Sequence, residues 1–338
     1  MKITIYDVAE KAGVSISTVS RVINNSGRVS EKTKQKVLNI IREMGYQSGV
    51  VATALTGTQN VTVGIIIPNI ESPLYTEIVN KANRIGMTQG FNLLICNTDN
   101  NLDLEERYLQ LLIQKNVDGI IIGTNATTYS NSRHLLLENL PCVLIVQDMP
   151  QVKIDVVSVD DYLGVYQAVT YFISLGHQKI ACILGNGKRI SDNNRFQAYK
   201  QAMQDNELEY DEKLVYYTDY SIDGGKCAAL ELFKNSPAVT AVFAYNEFLA
   251  TGVYQAAKEI GLTIPNDVSV IGFDNTILGR VLDPPLTTIA HPTDEIVEQA
   301  MELLMSEIKG AKKIKQRVIL PPELIIRGST NEMGKINW

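Results

Sequence analysis

From Val61 onward the sequence alternates short, nearly continuous Val/Ile runs with longer stretches of helical period, and no other feature restricts the fold as much. The runs VTVGIIIP, FNLLIC, VDGIIIG and CVLIVQ are separated by patterns such as TEIVNKANRIGMTQG and EERYLQLLIQKN. A second series follows, KIACIL, KLVYYTD, TAVFAY and VSVIGF, again with helical stretches between. A strand with one wet face alternates polar with apolar residues, so runs apolar throughout predict parallel sheets covered by helices on both sides. Two series in succession predict two similar α/β lobes. At 338 residues the chain exceeds what one core organises, and two or three domains are expected.

The first forty-seven residues have a different texture. Thr4 and Asp7 make a capping box, with Asp in place of Glu, ahead of an apolar stripe at Ile5, Val8, Ala9 and Ala12. Gly13-Val14 interrupts the helix, and Ser15 is placed to cap a second one. In that second helix Val19, Val22 and Ile23 share one face while Ser17 and Arg21 share the other. After a turn at Asn24-Asn25-Ser26-Gly27, Ser30 caps a third helix with Val37, Ile40, Ile41 and Met44 on one side, ending at Gly45. Two short helices around a glycine turn, with small polar and basic side chains facing out, have the shape that enters a DNA major groove. Charge is divided in the same sense. Residues 1–47 hold eight Lys/Arg against four acids, a head of +4 on a body of -10 in a chain of -6 overall. A basic head meets phosphates while an acidic body is repelled by them.

The stretch IYDVAEKAGVSISTVSRVIN, followed by VSEKTKQKVLNIIREMGY, closely resembles the LacI/GalR (lactose-repressor) family of bacterial transcription regulators, and the resemblance runs to about residue 330. It implies a small all-α helix-turn-helix head at 1–47, a hinge at 48–60 and a tail at 331–338. Between hinge and tail, residues 61–330 would form an effector-binding and dimerisation core, α/β and two-lobed like the periplasmic binding proteins. Crossings near 160, 290 and 321 would assign about 61–160 and 291–320 to the N-lobe, and about 161–290 and 321–330 to the C-lobe. The implied mechanism is a homodimer on a near-palindromic operator, each head inserting Ile16, Ser17 and Arg21 into the major groove. Arg21 would reach a guanine edge, while Ser20 and the third-helix lysines hold phosphates. Thr4, Tyr6, Ser15, Thr18 and Asn24 complete the candidate DNA contacts of the head. In the hinge, Leu55 matches the leucine that wedges into the minor groove, with Ala52 beside it. Here the chain departs from the family. Ser48-Gly49 stands for the usual Pro-Asn, and Thr53 for an Arg found in many members, which predicts a weaker or later-forming hinge helix.

Open α/β sheets bind ligands at the carboxyl ends of their strands. The polar residues just past each run are therefore the effector candidates: Asn69, Ser72 and Tyr75 after VGIIIP, GNGKRISDNNR after KIACIL, then Tyr220, Asn246 and Asp274. Aromatic faces with Asn, Asp and Arg suit a polyhydroxylated ligand, since planar groups grip vicinal hydroxyls and rings pack on the C–H face of a sugar. The resemblance makes Arg195, Asn246 and Asp274 effector contacts. Lys188 and Arg189 add positive charge shortly before Arg195, so an anionic effector, a sugar acid or sugar phosphate clamped by Arg189 and Arg195, is one expectation.

Rival functions find less in the residues. GNGK lacks the P-loop spacing, and His134, His177 and His291 are far apart, with no Ser-His-Asp or HExxH arrangement. No catalytic residue, metal site or cofactor is expected. Cys96, Cys142, Cys182 and Cys227 are scattered, which reads as free thiols. A transport binding protein would suit the body, but not the helical head in place of a signal peptide. In a catabolite-control regulator, which takes a phosphorylated carrier protein as corepressor, the region matching HPTDEIVEQAMELL carries an aromatic and an Arg where Thr293 and Glu302 stand here. The basic run KGAKKIKQR at 309–317 follows a helical pattern and reads as a solvated helix end. The opening MKITIYDVAEKAG has no apolar h-region, and no apolar run approaches the ~18 residues of a membrane span, so a cytoplasmic location is expected. The last nine residues, TNEMGKINW, carry no heptads, which predicts a dimer over a tetramer.

Overall fold

The computed structural model describes residues 3–23, 27–46, 61–124, 140–186, 190–311 and 314–332. The chain divides into two compact units, Met1–Val61 with Met87–Asn92, and Thr62–Gly86 with Leu93–Trp338.

The first unit contains helices α1 (Ile5–Ala12), α2 (Ile16–Ile23) and α3 (Glu31–Met44). Their periodic apolar residues meet in one small core formed by Val8, Ala9, Ala12, Val19, Val22, Ile23, Val37, Leu38, Ile40 and Ile41. The helix ends follow the local chemistry. The Asp7 carboxylate accepts from the Thr4 amide and hydroxyl, both at 2.7 Å, and these bonds hold its pKa below the usual carboxylate range. Gly13 closes α1 at φ 63°, where a side chain would be strained, and returns its amide to Ala9 and Glu10. Ser30 accepts from Thr33 N at 3.2 Å to start α3.

The second unit is built on two six-stranded sheets. The first runs β11-β5-β4-β3-β1-β2, with β1 (Val61–Ile67), β2 (Phe91–Asn97), β3 (Gly119–Gly123), β4 (Cys142–Val146), β5 (Asp155–Val159) and β11 (Arg317–Leu320). The second runs β12-β10-β9-β8-β6-β7, with β6 (Ile180–Leu184), β7 (Val215–Tyr217), β8 (Ala241–Ala244), β9 (Ser269–Asp274), β10 (Thr287–Ala290) and β12 (Glu323–Ile325). Helices α4 (Pro73–Gln89), α5 (Leu102–Gln114) and α11 (Thr293–Ile308) accompany the first sheet. Helices α6 (Asp161–Ser174), α7 (Ile190–Asp205), α8 (Ile222–Asn235), α9 (Glu247–Ile260) and α10 (Ile277–Val281) accompany the second. The chain passes from the first sheet to the second after Val159, returns after Ala290, and passes again after Leu320 through Pro321-Pro322.

Pairing is parallel along β11-β5-β4-β3-β1 and β10-β9-β8-β6-β7. β12, however, runs antiparallel to β10. Two prolines separate it from β11, too short a link for the crossover that a parallel strand requires. The KLVYYTD segment also differs from its apolar pattern: Glu212–Leu214 form a 3-10 turn and only Val215–Tyr217 pair.

Several sequence features have structural explanations. Gly225 and Gly252 let α8 and α9 touch backbone to backbone; a Cβ on Gly252 would lie 2.4 Å from Ile222 O and Lys226 N. His177 is a buried rivet, its ring 3.0 Å from Thr240 Oγ1 and 3.1 Å from Ser269 Oγ and Asn331 O. Burial lowers its pKa against the opposing pull of the Asn331 carbonyl. In the basic run, Lys315 pairs with Glu307, and Arg317 pairs with Asp148 while donating to Met149 O and Val152 O at 3.0 and 2.7 Å. Cys96, Cys142 and Cys182 are buried thiols and Cys227 is an exposed one. Among the described residues no helix is long and apolar enough to cross a membrane.

Candidate nucleic-acid interface and ligand cleft

On the head, the apolar side of α2 is committed to the core, so its other side is open. Ser15, Ile16, Ser17 and Arg21 are exposed, Thr18 and Ser20 half-buried, and Tyr6 is exposed on α1. Ser15 Oγ accepts from Thr18 N at 3.2 Å and shares its hydroxyl with Ser17 Oγ at 2.8 Å and Thr18 Oγ1 at 2.9 Å. The start of α2 therefore presents a patch of hydroxyls beside an exposed isoleucine (41% accessible). One turn further on stands a guanidinium. Hydroxyls and guanidinium bond base edges and phosphates, and the aliphatic side chain can meet a thymine methyl. Asn24, Ala52 and Leu55 lie outside the described residues.

In the core, a cleft of ≈ 910 Å³ opens at the carboxyl ends of both sheets. Asn69, Tyr75, Tyr220 and Asn246 all line it, from strand ends distant in sequence. Each is held by its neighbours. Asn69 Oδ1 accepts from Glu71 N at 2.8 Å, turning the loop before α4. Tyr75 packs its ring on Gly123, where a Cβ would sit 2.7 Å from Cε1. The Tyr220 ring lies against Gly185 and meets Tyr245 edge-on at 5.2 Å, while its hydroxyl donates to Asp192 Oδ2 at 2.6 Å. Asn246 caps α9 through Leu249 N at 3.0 Å and lines the cleft as well. Asn100, Asp219, Phe248 and Gln255 line it too and escaped the strand-end reading. Asn100 was detectable in the NTDNN that ends β2.

Arg195 and Asp274 are not among the lining residues. Arg195 is buried, its Nη2 and Nε 2.7 and 3.0 Å from Asp161 Oδ1, and its Nη1 donates to Tyr245 O. Its guanidinium lies 4.1 Å from the Tyr245 ring centre and 3.7 Å from that of Phe273. Burial opposes its charge, but Asp161, Tyr245 and Asp274 outweigh this and raise its pKa above the usual arginine range. Asp274 closes β9 at φ 116°, with Asn275 following at φ 61°. Next to this turn Glu247 is buried and accepts from Thr276 N at 3.1 Å, from Gly279 N at 3.2 Å and from the Thr276 hydroxyl. Burial first, then Asp274, pushes the Glu247 pKa up to about 7. Arg189, the other half of the expected clamp, lies outside the described residues.

The family description "Bacterial regulatory proteins, lacI family" matches residues 4–48, and "Periplasmic binding protein-like domain" matches residues 169–330. The HTH-type transcriptional regulator DegA of Bacillus subtilis (strain 168) is 42% identical, covering 99% of this chain and 100% of its own length. The chain belongs to the LacI family. Among solved structures, the lac repressor dimer bound to operator and the anti-inducer ONPF superposes with a TM-score of 0.81 at 26% identity, over 98% of this chain and 100% of that one. The transcriptional regulator CelR–cellobiose complex gives 0.72 at 29% identity, over 97% and 99%. As a LacI-family member the chain is a DNA-binding transcription regulator, and the relatives it matches across its length are regulators and not enzymes.

Proposed function

We propose that this regulator is a homodimeric repressor of carbohydrate metabolism whose operator affinity is set by a sugar or sugar-derived effector bound in the core cleft. The carrying observation is the cleft lining. Asn69, Asn100 and Asn246 supply amides able to donate and accept, while Tyr75, Tyr220 and Phe248 supply rings, the combination that holds vicinal hydroxyls and stacks on a sugar face. The cellobiose bound by CelR supports the same reading. An uncharged sugar fits better than an acid or phosphate. The described lining residues include the carboxylates of Glu71, Asp219 and Asp223 and no Lys or Arg, and Arg195 is already answered by Asp161. The exposed side of α2 supports Ile16, Ser17 and Arg21 as groove contacts, with a hinge contact at Leu55 proposed from the resemblance. Exposed apolar side chains at Leu94, Ile95, Ile277 and Val281 are compatible with a partner surface between two copies.

A thermal-shift screen with neutral sugars, sugar acids and sugar phosphates tests the effector class, because a ligand of the native fold raises the melting point. A neutral sugar is expected to give the largest shift, and a response confined to phosphorylated sugars would reverse the charge argument. Gel shifts on the DNA upstream of the chain's own gene test the repressor reading; salt-insensitive binding would contradict it. Sedimentation at micromolar concentration should show a dimer, and a stable tetramer would contradict the assembly.

A further inference from the structure

The passage from β10 to α11 carries a buried histidine that the effector reading leaves unused. His291 is 5% accessible and directly follows the last residue of β10. Its Nε2 lies 3.4 Å from Asp274 Oδ1, and its backbone N lies 3.4 Å from Asp274 O. The ring rests on Phe273 with centres 5.0 Å apart. Its Nδ1 is buried without a hydrogen-bond partner among the described residues. The two ring nitrogens thus differ, one facing a carboxylate and the other without a hydrogen-bond partner among the described residues.

The Asp274 turn needs such a brace. Asp274 and Asn275 both hold positive φ without being glycine, a conformation that costs on the order of 1–3 kcal/mol per residue and persists only where the surroundings impose it. Three side chains from separate segments surround it: His291 at Asp274, Arg327 donating to Asn275 Oδ1, and Glu247 at Thr276. Among the described residues, Arg195 of α7 and Glu247 of α9 are charged or titratable groups that interact electrostatically with Asp274. Of the three braces, His291 alone lies at a passage between the lobes. Two residues later Thr293 Oγ1 donates to Glu77 at 2.9 Å, and Lys81 bonds Thr293 at 2.5 Å and Asp294 at 2.9 Å, tying the same passage to α4 of the first lobe.

We propose that His291 is a positioning residue for the left-handed Asp274 turn, bracing its carboxylate at the point where the chain crosses between the lobes. Any role in ligand binding rests on the reading of Asp274 as an effector contact; the bracing itself does not. The test uses the full chain. With ring-15N histidine the protein has three imidazoles to follow, each with two ring nitrogens, and His291→Gln identifies the pair at issue. The proton is expected on Nε2, and Asp274→Asn is expected to shift that signal. Hydrogen exchange at the 274–276 amides should accelerate about tenfold or more in His291→Leu, and stay within about threefold of the wild type in His291→Gln, which keeps a donor. A proton on Nδ1, or unchanged exchange in His291→Leu, overturns the proposal. Should His291→Leu not fold by circular dichroism, Asp274→Ala, which removes the acceptor, makes the same exchange measurement from the other partner. Calorimetry with cellobiose separates the two layers. Looser exchange in His291→Leu, with cellobiose binding unaffected by Asp274→Asn, leaves the brace standing and removes Asp274 from the ligand contacts.

Discussion

Replacing Asp161 with Asn tests whether Arg195 is a structural cation or a charge held ready for an anionic effector. The two side chains are 10% and 5% accessible, and both Nε and Nη2 converge on a single carboxylate oxygen. Removing one partner of such a pair leaves the other buried and uncompensated, which costs about 3–5 kcal/mol. Asp161 also lies in the first turn of α6, where its charge contributes a further ~0.3–1 kcal/mol through the helix dipole, too little to account for the expected loss. For a core of this size the loss translates into a melting point lower by roughly 6–20 °C. The stranded guanidinium should then recruit an anion, so sulfate should restore part of the melting point in Asp161→Asn and little in the wild type. An Asp161→Leu/Arg195→Met pair should recover most of the loss, because replacing both charges by apolar side chains removes the desolvation penalty together with the attraction. The reasoning fails if Asp161→Asn melts within about 0.5 kcal/mol of the wild type, the range of an exposed substitution. A stable Asp161→Asn that gained affinity for sugar acids would instead favour the anion clamp.

Three further expectations follow from the geometry. Glu247, raised to about 7 from 4.5, favours its protonated form in the fold. Its contribution is therefore complete below the unfolded value and is lost as pH rises through 7. Urea midpoints should fall between pH 5 and 8 by an amount equivalent to about 3 kcal/mol, and Glu247→Gln should flatten that profile; equal slopes in both proteins would refute the assignment. Gly252→Ala should cost about 1–3 kcal/mol or more in chemical melts, because the new methyl meets backbone atoms that cannot rotate away. A neutral result would mean that α8 and α9 slide freely. Arg21→Ala should weaken operator binding roughly 5- to 150-fold in a gel shift, the value of one guanine contact, while changing the head's stability little because Arg21 is exposed.

What could be read in advance was whatever depends on near neighbours. The Thr4–Asp7 and Ser30 caps, the glycine stops at Gly13 and Gly45, and the apolar faces of α1 to α3 all arise within a few residues, and the sequence pattern displays them. The parallel strands were visible because burial on both faces leaves no polar alternation. The antiparallel β12 was not, since its direction depends on the shortness of Pro321-Pro322 and on which sheet edge is free. In the cleft, the strand-end rule located Asn69, Tyr75, Tyr220 and Asn246 on one wall system. It could not show that Arg195 meets Asp161 from 34 residues away, or that Gly185 lacks a side chain because the Tyr220 ring occupies that space. Both facts depend on distant segments that only the folded chain brings together.

The passages between the lobes limit how an effector signal can move through this core. A ligand shifts an equilibrium only by its difference in affinity for the two states, and couplings in such switches run to about 1–3 kcal/mol. The Asp161–Arg195 pair lies just past the first passage and joins α6 to α7 within the second lobe; removing one partner costs about 3–5 kcal/mol, so the pair holds these helices together and does not link the lobes. The third passage is stiffened by Pro321-Pro322, whose ring-fixed φ removes the softest torsions. The second passage is different. Its Asp274–His291 contact is long at 3.4 Å, and Nδ1 still lacks a donor among the described residues, so this contact can tighten or be exchanged without stranding a buried charge. The Asp161–Arg195 pair, held within one lobe, therefore moves as a unit in any rearrangement of the lobes within the energy an effector supplies. Substitutions at Asp161 should accordingly lower stability at every effector concentration, whereas substitutions at His291 should also change the effector concentration at which DNA is released or bound.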